Sequence, residues 1–141
     1  MRWRTRDSRS TKYRAIKTTV DGITFDSRAE ARRFCELRLL QQAGEITGLT
    51  VHPRYELIPG AVIDGISEKP IRYTADFAYM EHGKLIVEDV KGAVTRDYEL
   101  RRKMMLLLRG ITIREIDAKT GKEREWRKKK SRTRKGCSTS L

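Results

Sequence analysis

Two runs of alternating residues, Ile71–Met80 and Lys84–Lys91, stand on either side of His82-Gly83, and no other stretch of the chain narrows the choice of fold as much. With His82-Gly83 as a two-residue turn, Glu81 faces Lys84 and Asp76 falls directly opposite Asp89. Residues opposed in an antiparallel pair share a face, with Cα atoms about 4.5–5.5 Å apart. Two carboxylates that close repel each other, and a divalent cation that shares their oxygens removes the repulsion. Lys91 emerges on the same face as Asp89, about 6.8 Å along the strand. Glu88 points the other way and is expected to be structural, the partner of a basic side chain. Apolar residues precede the charged end on both faces: Ala78, Met80, Leu85 and Val87 on one, Phe77, Tyr79 and Ile86 on the other. Such a hairpin belongs in a sheet covered on both sides, with its charged cluster opening at one end.

The remaining chain supplies the covering elements. Thr18–Phe25 reads as a short hairpin around Asp21-Gly22. Ser27 is a good N-cap with Glu30 three residues on, and Ala31, Phe34, Leu37 and Leu40 follow at helical spacing until Gly44. Ile46–Val51 and Tyr55–Ile58 are extended pieces around His52-Pro53, followed by a loop through Pro59-Gly60 and Asp64-Gly65. A second helix is expected over Thr95–Arg109, ended by Gly110, with a last strand at Ile111–Ile116. The order helix, three strands, helix, strand is an α/β arrangement with helices covering a central sheet. Within the second helix, Met104–Leu108 is apolar on too many sides for a simple surface helix. It reads either as one half of a homodimer seam or as a helix buried within the domain.

Charge divides the chain of 141 residues into three. Residues 1–17 carry +6 and residues 119–141 carry +8, while residues 18–118 sum to −1, so the net +13 sits on two arms around a nearly neutral domain. Flexible basic arms of this kind neutralise phosphates and release counterions. Trp3, Tyr13 and Trp126 interleave with the basic residues and are placed to stack on bases. The run Arg127, Lys128, Lys129 and Lys130, and Arg96, Arg101, Arg102 and Lys103 on the second helix, are candidates for phosphate contact, against the plainer reading of solvated charge. The longest apolar run, Met104–Leu108, is far too short to cross a bilayer, and no secretory signal follows the basic N-terminus. Cys35 and Cys137 match no metal-ligand spacing and are expected to be free thiols in a reducing cytoplasm. No phosphate-binding glycine loop is present, so no nucleotide cofactor is expected, and His52 and His82 are isolated.

Taken singly, Glu30 is explained as a capping residue and Asp89-Val90-Lys91 is a short pattern; the ordered set is more specific. Tyr73-Thr74-Ala75-Asp76-Phe77 followed by Ile86-Val87-Glu88-Asp89-Val90-Lys91-Gly92 resembles the PD-(D/E)xK nuclease signature, with alanine in place of the usual proline. Phe25–Arg33, Ala43–Ile46 and His52–Leu57 are similar to a phage and prophage family of small nucleases. That layout is similar to phage junction-resolving endonucleases and to the nuclease subunit of some transposases, over roughly residues 12–117. The resemblance implies a restriction-endonuclease-like core with a mixed central sheet. It implies Glu30, Asp76, Asp89 and Lys91 as catalytic residues, with Asp76, Asp89, the Val90 carbonyl and Glu30 holding Mg²⁺ or Mn²⁺. Hard oxygen donors suit these ions. The implied activity is endonucleolytic cleavage of DNA, selective for branched recombination or replication structures, in the host cytoplasm if the protein is phage-encoded. The competing reading is a non-catalytic nucleic-acid binding protein that uses the basic arms.

Overall fold

The computed structural model describes residues 16–125. Trp3, Tyr13, Trp126, the run Arg127–Lys130 and Cys137 lie outside the described residues. Three two-residue turns set the strand pairing. Asp21-Gly22, Asp64-Gly65 and His82-Gly83 each take positive φ at both residues, 48° at the first and 75–78° at the second. This conformation matches the right-handed twist of the flanking strands, and glycine at the second position bears it without strain. The first turn joins β1 (Thr18–Val20) to β2 (Ile23–Phe25).

Helix α1 (Arg28–Gln42) starts at Ser27, whose hydroxyl accepts the Glu30 N–H at 3.2 Å, and stops before Gly44 at φ 78°. From there the chain runs out and back as a long bent hairpin. β3 (Ile46–Val51), β4 (Arg54–Ile58) and β5 (Ala61–Ile63) lead out, and β6 (Ile66–Glu68), β7 (Ile71–Thr74) and β8 (Phe77–Glu81) return along them. The stretch expected to be a loop around Asp64-Gly65 is thus a hairpin tip, because Asp-Gly fits the same tight turn as the other two. The run Ile71–Met80 is likewise two strands rather than one. It breaks at Ala75-Asp76, opposite the bend at His52-Pro53, where His52 sits at φ 52°. The bend is closed by His52 N–H on the Asp76 carbonyl (2.9 Å) and Ala75 N–H on the Pro53 carbonyl (3.0 Å).

β9 (Lys84–Lys91) pairs antiparallel with β8, Glu81 opposite Lys84 and Phe77 opposite Glu88, the register set by the His82-Gly83 turn. Helix α2 (Arg96–Arg109), capped by the Thr95 hydroxyl and ended by Gly110, crosses over to β10 (Ile113–Asp117), which lies parallel to β9. The central sheet has the order β10-β9-β8-β3 and is mixed; with the two helices it makes a mixed α/β domain. α1 covers one face through Ala31, Phe34 and Leu37 against Phe77, Tyr79, Val90 and Ile116. On the opposite side Tyr98 and Met105 of α2 pack with Leu57, Tyr73, Ala78, Val87 and Ile113. Within Met104–Leu108 only Met105 is fully buried, whereas Leu106, Leu107 and Leu108 are exposed, so burial within the domain does not account for this run. No described helix is long and apolar enough to cross a membrane.

Residues 119–124, counted by charge with the C-terminal arm, fold back on the domain. Arg124 donates to the Lys91 and Gly92 carbonyls (both 2.9 Å) and to Asp117 (3.1 Å), and its N–H bonds the Glu115 carbonyl (2.8 Å). Under α1, Glu88 is fully buried, accepting two bonds from Arg33 (2.6 and 2.9 Å) and one from the Tyr79 hydroxyl (2.6 Å). Removing one partner of such a pair leaves an uncompensated buried charge. Arg33→Met is expected to lower unfolding free energy by about 3–5 kcal/mol in urea titration. Adding Glu88→Gln should restore more than half of the loss; equal stability of Arg33→Met and the parent would contradict the role given to the pair.

Candidate functional site

The carboxylates gather where the β8–β9 ladder ends. Asp76 lies one residue before β8, at the bend, and its N–H donates to the Glu88 carbonyl (3.2 Å) and to Asp89 Oδ1 (3.0 Å). In return Asp76 Oδ2 accepts the Val90 N–H at 2.7 Å. Each aspartate therefore binds the backbone at or beside the other, and the two side chains finish a ladder that the bent backbone cannot continue. Asp89 is 1% exposed and Asp76 is partly buried.

The remaining residues arrive from both faces of the sheet. Lys91 and Asp89 lie on the α2 side. Lys91 Nζ is 3.8 Å from Asp89 Oδ2 and 4.7 Å from the centre of the Tyr98 ring. The Tyr73 hydroxyl donates to the same Asp89 oxygen. Tyr98 is held by its own hydroxyl on Glu115 (2.8 Å), and Arg102 also donates to Glu115 (2.5 Å). Glu30 comes from the α1 side. Its carboxylate accepts from Ser27 Oγ and from the Asp26 N–H, both at 3.2 Å, and lies close enough to Asp76 to feel its charge. The capping role and the nearness to Asp76 thus coexist. Among the described residues, no three His, Cys, Asp or Glu side chains already stand as a metal cage. Asp76 keeps one carboxylate oxygen without a bonded partner among the described residues, and hard oxygens are the donors that a strongly hydrated divalent ion takes one or two at a time.

A family model described as "Protein of unknown function (DUF1064)" matches residues 10–124. The chain belongs to the DUF1064 family. The DUF1064 match takes in every strand and helix among the described residues, and it ends at Arg124, the residue that pins the turn after β10. Comparison with curated proteins and with solved structures gives no match.

Within this DUF1064 domain the four basic residues singled out on α2 differ in circumstance. Arg96 and Lys103 are exposed. Arg101 pairs with Asp97 (3.0 Å) and donates to the Arg72 carbonyl, while Arg102 is engaged by Glu115 and lies over the Tyr98 ring. Reading the sequence missed Tyr73, Tyr98 and Glu115 as neighbours of Asp89 and Lys91. Nothing local marks them: Tyr98 reaches the site only because α2 crosses back over β9.

Burial pushes the Asp89 carboxyl up to about 6, against Lys91 and the Asp76 amide, which pull it down. Asp76 is also raised by burial, with the Val90 amide and Lys91 opposing; Glu30 is raised by burial and by Asp76. A carboxyl raised in the folded state contributes stability that is full below about pH 4, its unfolded value, and lost as pH rises through about 6. In EDTA, Asp89→Asn should therefore gain stability relative to the parent as pH rises from 4 to 7, reaching about 1–3 kcal/mol. Urea unfolding of both proteins at several pH values measures it, and a difference that stays constant with pH would contradict the assignment.

Proposed function

We propose that this protein is a divalent-metal-dependent endonuclease that hydrolyses phosphodiester bonds in DNA, with branched recombination or replication DNA as its preferred substrate. The observation that carries the reading is that Asp76 and Asp89 are held together at the end of the β8–β9 ladder, Asp76 N–H on Asp89 Oδ1 and Val90 N–H on Asp76 Oδ2, with Lys91 3.8 Å from Asp89 Oδ2. The element order around it supports a restriction-endonuclease-like core: α1 with Glu30, the β3-β8-β9 meander, the α2 crossover and parallel β10. Phosphodiester substrates agree with the net charge of +13, concentrated towards the two ends of the chain.

Asp76, Asp89, the Val90 carbonyl and Glu30 would hold Mg²⁺ or Mn²⁺, which when bound supplies an activated water and offsets charge on the phosphate. The protein's part is to fix these donors. The crossed amide bonds set the rotamers of both aspartates, and Tyr73 restrains the second oxygen of Asp89. Lys91 contributes a fixed positive charge for the negative charge that develops on the phosphate oxygens. The Tyr98 ring beneath its ammonium, itself anchored by Glu115, limits where that charge can go. Glu30 shares its carboxylate between the helix cap and the Asp76 side of the site.

Incubation with linear duplex, single-stranded and four-way-junction DNA, in Mg²⁺ and in EDTA, tests the reading. Cleavage should require the metal and be fastest on the junction. Asp76→Ala, Asp89→Ala and Lys91→Ala should each lower cleavage by about a hundredfold or more while DNA binding persists. Three variants that cut like the parent would place the chemistry elsewhere. A second reading, DNA binding without catalysis, draws on the basic residues gathered towards the two ends of the chain. It is favoured if the parent binds DNA but never cuts it.

Tyr98 gives a finer test. Tyr98→Phe keeps the ring under Lys91, whereas Tyr98→Leu removes it. The leucine variant should lose about tenfold in kcat with KM little changed, and the phenylalanine variant much less. Equal loss in both would mean that the hydroxyl bond to Glu115, and not the ring, is what matters.

A further inference from the structure

Beside the carboxylate cluster, on the α1 side, lies a cavity of about 100 Å³ between the first turns of α1 and the turn that follows β10. Val90 is in its wall, the residue between Asp89 and Lys91 whose N–H bonds Asp76. The cavity therefore borders β9 beside the proposed site, on the α1 face from which Glu30 comes. Its charged lining consists of Arg32, Arg33, Glu36, Asp117 and Lys119.

The acids in this lining are already neutralised. Glu36 pairs with Arg33 (2.9 Å). Asp117 accepts the N–H groups of Lys119 (2.9 Å) and Thr120 (3.0 Å) and pairs with Arg124 (3.1 Å). Those bonds hold its carboxyl down at about 2, so it stays a satisfied anion. Arg33 is occupied by Glu88. Two cations are left over. Arg32 is exposed and makes one long bond, 3.5 Å to the Ala118 carbonyl, and Lys119 is exposed with no ion pair among the described residues. Asp117, by bonding the backbone of the turn, fixes where Lys119 and Thr120 start, with Gly121 N–H on the Asp117 carbonyl (2.8 Å) closing it. Ala29, second residue of α1, is also in the lining, so the positive end of that helix lies beside the same opening.

We infer that this cavity is a phosphate subsite that takes a backbone phosphodiester adjacent to the one being cleaved, gripped by Arg32 and Lys119. The inference rests on the nuclease reading for its place in the reaction. Its grip on phosphate does not depend on catalysis. A rigid turn that presents one lysine, opposite a helix that presents one arginine, suits an oxyanion group entering between them.

The test is the salt dependence of binding. Fluorescence anisotropy of the full chain with a short labelled duplex, in EDTA across a range of NaCl, gives the slope of log affinity against log salt. Each lost phosphate contact removes about 0.9 from that slope. Arg32→Ala with Lys119→Ala should flatten it by about 0.9, the loss of one phosphate, while Arg32→Lys leaves it nearly unchanged and Lys84→Ala, at the far end of β9, has no effect. In the parent, inorganic phosphate should shift the amide resonances of Thr120 and Gly121 in NMR, and in the double variant it should not. A double variant with the parent's slope and unchanged phosphate response would overturn the subsite and leave the nuclease reading intact. A parent that shows the slope and the phosphate shifts but cuts no DNA would overturn the nuclease reading alone. A parent with no salt-dependent binding would overturn both.

Discussion

At the end of the β8–β9 ladder the backbone runs out of partners, and two aspartates supply them. The chain bends at Ala75-Asp76 against His52-Pro53, so the Val90 N–H finds a carboxylate where a flat hairpin would offer a carbonyl. The Asp76 N–H is shared with the Asp89 side chain in the same way. Bonds from amides to charged groups are each worth about 1.5–3 kcal/mol, enough to hold two acids in place despite their burial. The cost appears as raised carboxyl pKa values, with Asp89 at about 6. A site that is strained in this sense when bare, and relieved by a cation, is the physical basis of the proposed activity.

The other buried acids behave differently, and the contrast is informative. Glu88 under α1 is matched by Arg33 and Tyr79, and Glu115 under α2 by Arg102 and Tyr98. Both are satisfied by side chains of their own layer. Asp76 accepts the Val90 amide, and Asp89 accepts the Asp76 amide and the Tyr73 hydroxyl, with Lys91 as the cation that acts on both. Of these two, Asp76 keeps one carboxylate oxygen that no described residue bonds.

Much of this was legible in the sequence because it rests on local rules. His82-Gly83 fixed the β8–β9 register, alternation along β9 put Glu88 and Asp89 on opposite faces, and Ser27 and Gly44 bracketed α1. The Asp64-Gly65 hairpin was legible too, by the same turn chemistry, but its three-residue strands are too short to stand out as alternating runs. The break at Asp76 was hidden because an apolar run reads as one strand unless a partner's bend is known. Tyr73 and Tyr98 were invisible for a stronger reason: their roles arise from how β7 and α2 fold back on β9, which no local pattern encodes. Counted by charge, Arg124 looks like arm, and its bonds to Lys91, Gly92 and Asp117 are not legible in the sequence.

The sharpest question is whether the paired aspartates take up a cation. Titrating Mn²⁺ into the full-length protein at pH 7.5, with free Mn²⁺ followed by its paramagnetic resonance signal, answers it without any substrate. Saturable uptake is expected in the parent, weakened by at least about tenfold in both Asp76→Asn and Asp89→Asn. If the parent leaves the free Mn²⁺ signal as it is in buffer, or if both variants bind as the parent does, Asp76 and Asp89 are not a metal site.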